Sequence, residues 1–146
     1  MDALVLAIAS DEKTVTRRLG PLRFAVGDIL DVCEALVVNA DHVVTYRCDY
    51  TPALVDGAEV GWDWKVRVLP ARYCPAWAVR HRILVEAVTR ETLSCITDAD
   101  AGREGIARMG HPPTADAFLR AFREIHDLAP DADPELGRIA FRRVRP

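Results

Sequence analysis

The sequence predicts an α+β fold: a small mixed β-barrel of about five strands flanked by two or three helices. Three observations predict it. The 146 residues are 50% hydrophobic and 28% charged, enough to build one core without metal or disulfide. Strand-like apolar runs recur along the chain at uneven spacing, which excludes a βαβ series and a Rossmann fold. Segments of helical period are inserted between those runs and do not alternate with them. No repeat and no long linker divides the chain, so residues 1–146 are expected to form a single domain.

The elements follow in order. Leu4, Val5 and Ile8 stand at helical spacing and predict a short helix over 2–12. Residues 13–23 hold Lys13, Arg17, Arg18 and Arg23 with no acid among them. Val26-Gly27-Asp28 reads as a turn, with Asp28 bonding local backbone. Ile29 to Val38 reads as a strand, Asn39-Ala40-Asp41 as a turn, and Val43 to Cys48 as the returning strand of a hairpin. From Asp49 to Asp63 the chain is loop-like, Val66 to Leu69 forms a short strand, and Pro70 to Pro75 breaks regular structure. Ile83 to Val88 is the clearest strand, extending toward Leu93. Thr97 caps a helix running to Met109, with Asp100 at the capping-box position, and Gly110 with Pro112-Pro113 ends it. Thr114 caps another helix to about Asp127, with Phe118, Phe122 and Ile125 on one face. Pro130 to Gly137 is an acidic loop, and Arg138 to Arg145 is the closing strand.

Composition narrows the function. The 19 basic residues are 17 Arg and only Lys13 and Lys65, and 22 acids leave a net charge of −3. A protein living on nonspecific phosphate contacts would carry more positive charge. Cys33, Cys48, Cys74 and Cys95 form no CxxC pair and sit in apolar or aromatic surroundings, so buried free thiols are expected. No histidine pair has metal-ligand spacing, and no cofactor, metal or DNA-specific motif is implied. The first apolar run is too short to span a membrane and has Asp2 where a signal peptide needs positive charge, predicting a soluble cytoplasmic chain without membrane contact.

Four clusters could carry chemistry. Lys13-Thr14-Val15-Thr16-Arg17-Arg18 packs cations and hydroxyls together. Extended, it turns Lys13 away from Thr16; as a turn or helix end it makes them neighbours, and as a solvated basic turn it needs no function. Glu34, set in an apolar run, either points outward or requires an Arg or hydroxyl partner inside. Trp77 with Arg80 can stack a base and bind its polar edge, or serve as core and surface charge. Asp100 and Glu104 form a like-charged i, i+4 pair, a tension that a cation such as Lys13 or an Arg would relieve.

In this order the clusters resemble the ASCH domain of the PUA-like superfamily, in its phage and prophage branch. The likeness rests on Lys13-Thr14-Val15-Thr16-Arg17-Arg18, Val26-Gly27-Asp28, Glu34, Pro75-Ala76-Trp77-Ala78-Val79-Arg80, and Asp98-Ala99-Asp100-Ala101 leading into Glu104-Gly105-Ile106. It departs from the pattern where a strand is expected before the first helix and where Cys74 replaces the usual Met. The resemblance implies a PUA-like barrel with a cleft for a nucleoside or RNA. Some ASCH proteins are amidohydrolases of N4-acylcytidines, and their Lys, Thr and Glu fall on Lys13, Thr16 and Glu104. Arg17, Arg18, Glu34, Trp77 and Arg80 are then the expected substrate contacts. The other expectations are a noncatalytic RNA-binding module using Arg17, Arg18, Trp77 and Arg80, a ribonuclease, or a plain interaction domain if Glu104 lies exposed and far from Lys13.

Overall fold

The computed structural model describes residues 2–144, so the predicted end of the last strand at Arg145 lies outside the described residues. Helix α1 (Asp2–Ala9) is shorter than the 2–12 span. Ser10 Oγ donates to the Leu6 carbonyl at 3.0 Å, and the amides of Glu12 and Lys13 both reach the Ala7 carbonyl, at 2.8 and 2.9 Å. This reversal ends the helix and carries Lys13 straight into a strand.

The strands among the described residues are β1 (Val15–Arg18), β2 (Ile29–Asp31), β3 (Leu36–Val38), β4 (Val44–Tyr46), β5 (Leu54–Val55), β6 (Ala58–Glu59), β7 (Val68–Leu69), β8 (Arg82–Thr92) and β9 (Glu135–Val144). One sheet has the order β1-β9-β8-β2, a second β4-β3-β7, and β5 pairs β6 alone. Every one of these pairings is antiparallel, and the α+β chain forms a curled antiparallel half-barrel with few helices, compatible with the small barrel expected. The long β8–β9 ladder bends at Glu86, where the register shifts between Val85 and Ala87.

The run 29–38 is two strands instead of one. It changes sheets at Val32–Ala35, where Glu34 turns inward. The 3–4 hairpin forms as expected, its turn held by Asn39 Oδ1 accepting from the amides of Asp41 and Val43, both at 2.9 Å. Asp28 likewise bonds locally, accepting from the Ala25 amide at 2.8 Å. The stretch expected to be loop contains the β5–β6 hairpin, turned by Asp56 and Gly57, both at positive φ.

The predicted helix 97–109 is a single short helix α2 (Asp98–Arg103), then a break at Gly105 (φ 76°) and a 3-10 turn over Ile106–Met109. Thr97 caps α2 by accepting from the Asp100 amide at 3.2 Å. Helix α3 (Ala115–Ile125) is capped by Thr114 as expected. Its Phe118 and Phe122 are buried, but Ile125 is 64% exposed, one turn beyond the core they enter.

Three apolar clusters hold these parts. Leu93, Ile96, Ile106, Phe118, Phe122 and Leu136 join α2 and α3 to the sheet. Leu36, Val44, Tyr46, Ala53, Leu69 and Ala78 fill the second sheet. Ile8, Val85, Ile139 and Phe141 pack α1 on the half-barrel. Leu22 lies so close over Gly137 that a Cβ there would fall 2.3 Å from its Cγ, so any larger residue at this point of β9 would force the Leu22 side chain to move. No helix among the described residues is long and apolar enough to cross a membrane.

Candidate functional site

Lys13 lies two residues before the edge strand β1, whose outer carbonyls the ladder leaves unpaired. Its ammonium curls back and donates to the Val15 carbonyl at 2.8 Å, to the Glu104 carbonyl at 2.9 Å, and to Glu104 Oε2 at 2.8 Å. All three N–H groups are therefore satisfied. Lys13 is 7% exposed and Glu104 4%. Burial pushes the Lys13 ammonium below the usual lysine range, against the opposing pull of Glu104.

Glu104 reaches this place because α2 stops beneath it and Gly105 turns left-handed. A Cβ on Gly105 would stand 3.0 Å from Ala7 Cβ and 3.2 Å from Lys13 Cβ. Glycine thus satisfies both the positive φ and the close approach of α1.

Arg17 braces the carboxylate from the other side. Its side chain has no exposed surface, and its three nitrogens donate to Glu91 Oε1 at 2.6 Å, Glu104 Oε1 at 3.1 Å and Asp100 Oδ2 at 2.7 Å. Arg138 adds a bond to Asp100 Oδ1 at 3.2 Å. Burial by itself would raise the Asp100 carboxyl, but the bonds from Arg17 and Arg138 outweigh it and hold it below the usual range. The like-charged Asp100–Glu104 pair thus meets three cations, Lys13, Arg17 and Arg138, which relieve the tension of its spacing. Arg17, expected at the substrate, lines the cleft, and each of its three nitrogens bonds a protein carboxylate, which positions Glu104. Sequence reasoning missed Glu91 and Arg138; their signal was only an alternation of charged residues along the facing strands β8 and β9.

Thr16 is half-buried, and its hydroxyl has no side-chain bond to a described residue. The extended β1 would turn Lys13 away from it, yet both line the same space, because the lysine folds over the Val15–Thr16 peptide. Lys13, Thr16, Arg18 and Leu4 form a wall shared by two cavities. One, of about 430 Å³, also holds Glu104, Met109, Phe118 and Ile125. The other, of about 460 Å³, is lined by Ile8, Phe24, Leu30, Ile83 and Phe141, with Asp31 and Cys33 at one side. Both lie in the size range of small-molecule sites, about 300–1,000 Å³. Arg18 is exposed on this wall.

Family models, curated proteins and solved structures contain no match to this chain. The site's meaning therefore rests on its own geometry.

The remaining expected residues form a separate centre. Glu34, 2% exposed, is gripped by Arg80, whose Nε donates to Oε1 at 2.7 Å and Nη2 to Oε2 at 2.8 Å. Arg80 also meets Asp49 and Thr51, each at 2.9 Å, and lies 3.8 Å over the Tyr46 ring. The Cys48 thiol donates to Glu34 Oε2 at 3.0 Å. Burial first, and then that bond, push the Cys48 thiol up to about 12. Glu34 has found the inward Arg partner it needed, and Arg80 bonds both of its carboxylate oxygens. Trp77 is 39% exposed and stacks on Trp64 at 6.4 Å. All four cysteines are free, but Cys33, between β2 and β3, and Cys95, at the end of a 3-10 turn, are exposed where buried thiols were expected. Among the described residues, no group of three or more His, Cys, Asp or Glu side chains is placed to hold a metal ion.

Proposed function

We propose that the chain is an ASCH-type amidohydrolase with a PUA-like barrel, cleaving the acyl amide of an N4-acylated cytidine with Lys13, Thr16 and Glu104. One observation carries the reading: a buried Lys13–Glu104 pair at 2.8 Å, sharing a cleft with a Thr16 hydroxyl that no protein group occupies.

The chemistry follows from the saturated ammonium. Lys13 is no base while it holds three protons, so the proton in the Nζ–Oε2 bond first passes to Glu104, giving a neutral amine and a neutral acid. Removal from water favours that neutral form. Thr16 Oγ1 holds the attacking water. Lys13 takes a proton from it as the O–C bond forms, and Glu104 gives its proton to the exocyclic nitrogen as the C–N bond breaks. The products are a carboxylic acid and cytidine, and the pair is again ammonium and carboxylate. The acyl group fits the apolar cleft beside Met109 and Ile125, and the pyrimidine nucleoside fits the larger cavity across the wall, with Arg18 at its mouth.

The noncatalytic RNA-binding reading has less support, because Arg17 and Arg80 are two of its four contacts and both are spent on carboxylates. A plain interaction domain presupposed a distant, exposed Glu104, and the pair distance speaks against it. Incubation with N4-acetylcytidine, followed by chromatography of released cytidine, tests the proposal. Release that disappears in Lys13→Ala supports it; no release, or full release by that variant, sinks it.

A further inference from the structure

Resting on that reading, we infer that the acyl group removed is an aliphatic chain several carbons longer than acetyl, held in a slot that runs outward from Lys13 and Glu104 along α3. The cleft of about 430 Å³ has the volume of a site for a whole small molecule, and the two carbons of an acetyl group occupy only its inner end. Helix α3 gives the cleft its length. Phe118, Phe122 and His126 follow one another at i, i+4 and i+8, with ring centroids 5.6 and 4.3 Å apart. The Arg17 guanidinium, which bonds Glu104, lies 5.9 Å from the Phe118 ring at the inner end. At a helical rise of about 1.5 Å per residue, this stripe extends about 12 Å, from beside the reacting groups to the C-terminal end of the helix.

The slot is apolar where a chain would lie. Lys13 and Arg17 bond Glu104 at its inner end. Beyond them Ile106, Phe118, Ala121 and Phe122 are buried walls. Leu19, Met109 and Ile125 belong to the same lining and are 38%, 36% and 64% exposed. Three large apolar side chains left facing water around one cleft mark a surface that an apolar ligand covers. An acetyl methyl leaves them wet, whereas a longer chain removes them from water together with its own methylenes. The other polar residues of the lining are Thr16, half-buried, and Arg18 and His126, both exposed. No unpaired charge is therefore sealed beneath the chain when it binds.

The test supplies the protein with cytidines acylated at N4 by acetyl, butanoyl or hexanoyl groups and follows cytidine release by chromatography. In each, water adds to the acyl carbon and the C–N bond breaks, giving cytidine and the free acid, so the three differ only in chain length. We expect kcat/KM to rise with length, hexanoyl exceeding acetyl at least roughly tenfold, because methylenes in an apolar pocket discriminate on that scale. The gain should lie in KM, since the chain binds alike before and during reaction. Ile125→Asp and Met109→Asp, on separate elements, should each bring the hexanoyl-to-acetyl ratio close to one, and Ile125→Leu should keep it. Equal kcat/KM for the three substrates, or a ratio that survives both aspartates, would overturn the slot and leave the amidohydrolase reading standing. If none of the three releases cytidine, the slot falls together with that reading.

Discussion

Lys13 and Glu104 are joined twice: the ammonium donates to the glutamate's carboxylate at 2.8 Å and to its backbone carbonyl at 2.9 Å. The double attachment fixes the head of the lysine against the end of α2, whatever the carboxylate does. Arg17 then holds the opposite carboxylate oxygen at 3.1 Å, so Glu104 has little freedom to rotate. An acid and a base are thereby placed one bond apart, in a setting where arginine could not replace the lysine because it does not give up its proton.

The pair is a stability element as well as a proposed catalytic one. Glu104→Gln leaves Lys13 and Arg17 facing a neutral amide inside the fold. It should cost about 3–5 kcal/mol in urea unfolding, as expected when one member of a buried pair is removed. Cytidine release should fall at least about 100-fold. Lys13→Met should be milder in unfolding, because Glu104 keeps Arg17, and equally inactive. Wild-type stability in Glu104→Gln would contradict the buried pair.

Gly105 and Gly110 separate backbone strain from contact. Both have positive φ, 76° and 83°, but only Gly105 has side chains within reach of an added Cβ. Gly110→Ala should lose about 1–2 kcal/mol, the cost of a left-handed non-glycine residue, and keep its turnover. Gly105→Ala should lose more, and lose turnover with it, because the new methyl pushes on Ala7 and on Lys13 itself. Equal losses in thermal melts of the two variants would count against the close approach.

Where a local rule decides the structure, the sequence was readable. Asn39 and Asp28 close their turns with their own side chains, Thr97 and Thr114 cap their helices, and the Asp100–Glu104 repulsion called for a cation that Arg17 and Lys13 supply. Where distant packing decides, it was not. The segment 15–18 carries too little apolar pattern to declare a strand, and becomes one because β9 offers an open edge. The break in 29–38 depends on Arg80, 46 positions away. The Asp56-Gly57 turn had its local signal, but its flanking strands are only two residues each and exposed. Glu91 joins the site through Arg17, a partner 74 positions distant.

Thiol reactivity should rank the cysteines by environment. Cys33 and Cys95 are exposed, whereas the Cys48 thiol is pushed up to about 12 and donates to Glu34. With iodoacetamide at about pH 8, near the ordinary thiol range, mass spectrometry should find Cys33 and Cys95 modified while Cys48 stays free until the chain is unfolded. Cys48 labelling as fast as Cys33 in the native protein would refute its bond to Glu34.

Stability should depend on pH in opposite ways at the two ends of the scale. Asp100 and Asp49 have carboxyls held below their usual range; burial opposes the shift, and arginine bonds outweigh it. Their contribution is fully present above about pH 4, the unfolded value, and is lost as pH falls through the lower folded values. Lys13 acts the other way. Burial lowers its folded value below 10.5, so between the two values the unfolded chain binds the extra proton. Folding then grows more favourable as pH rises through that window. Comparing urea unfolding of the wild type and Lys13→Met from neutral pH to about pH 10 isolates this contribution. The wild type should gain on the variant as pH rises. A gap that stays constant, or closes in the variant's favour, would mean that the lysine keeps its proton throughout and would remove the physical basis for its role as a base.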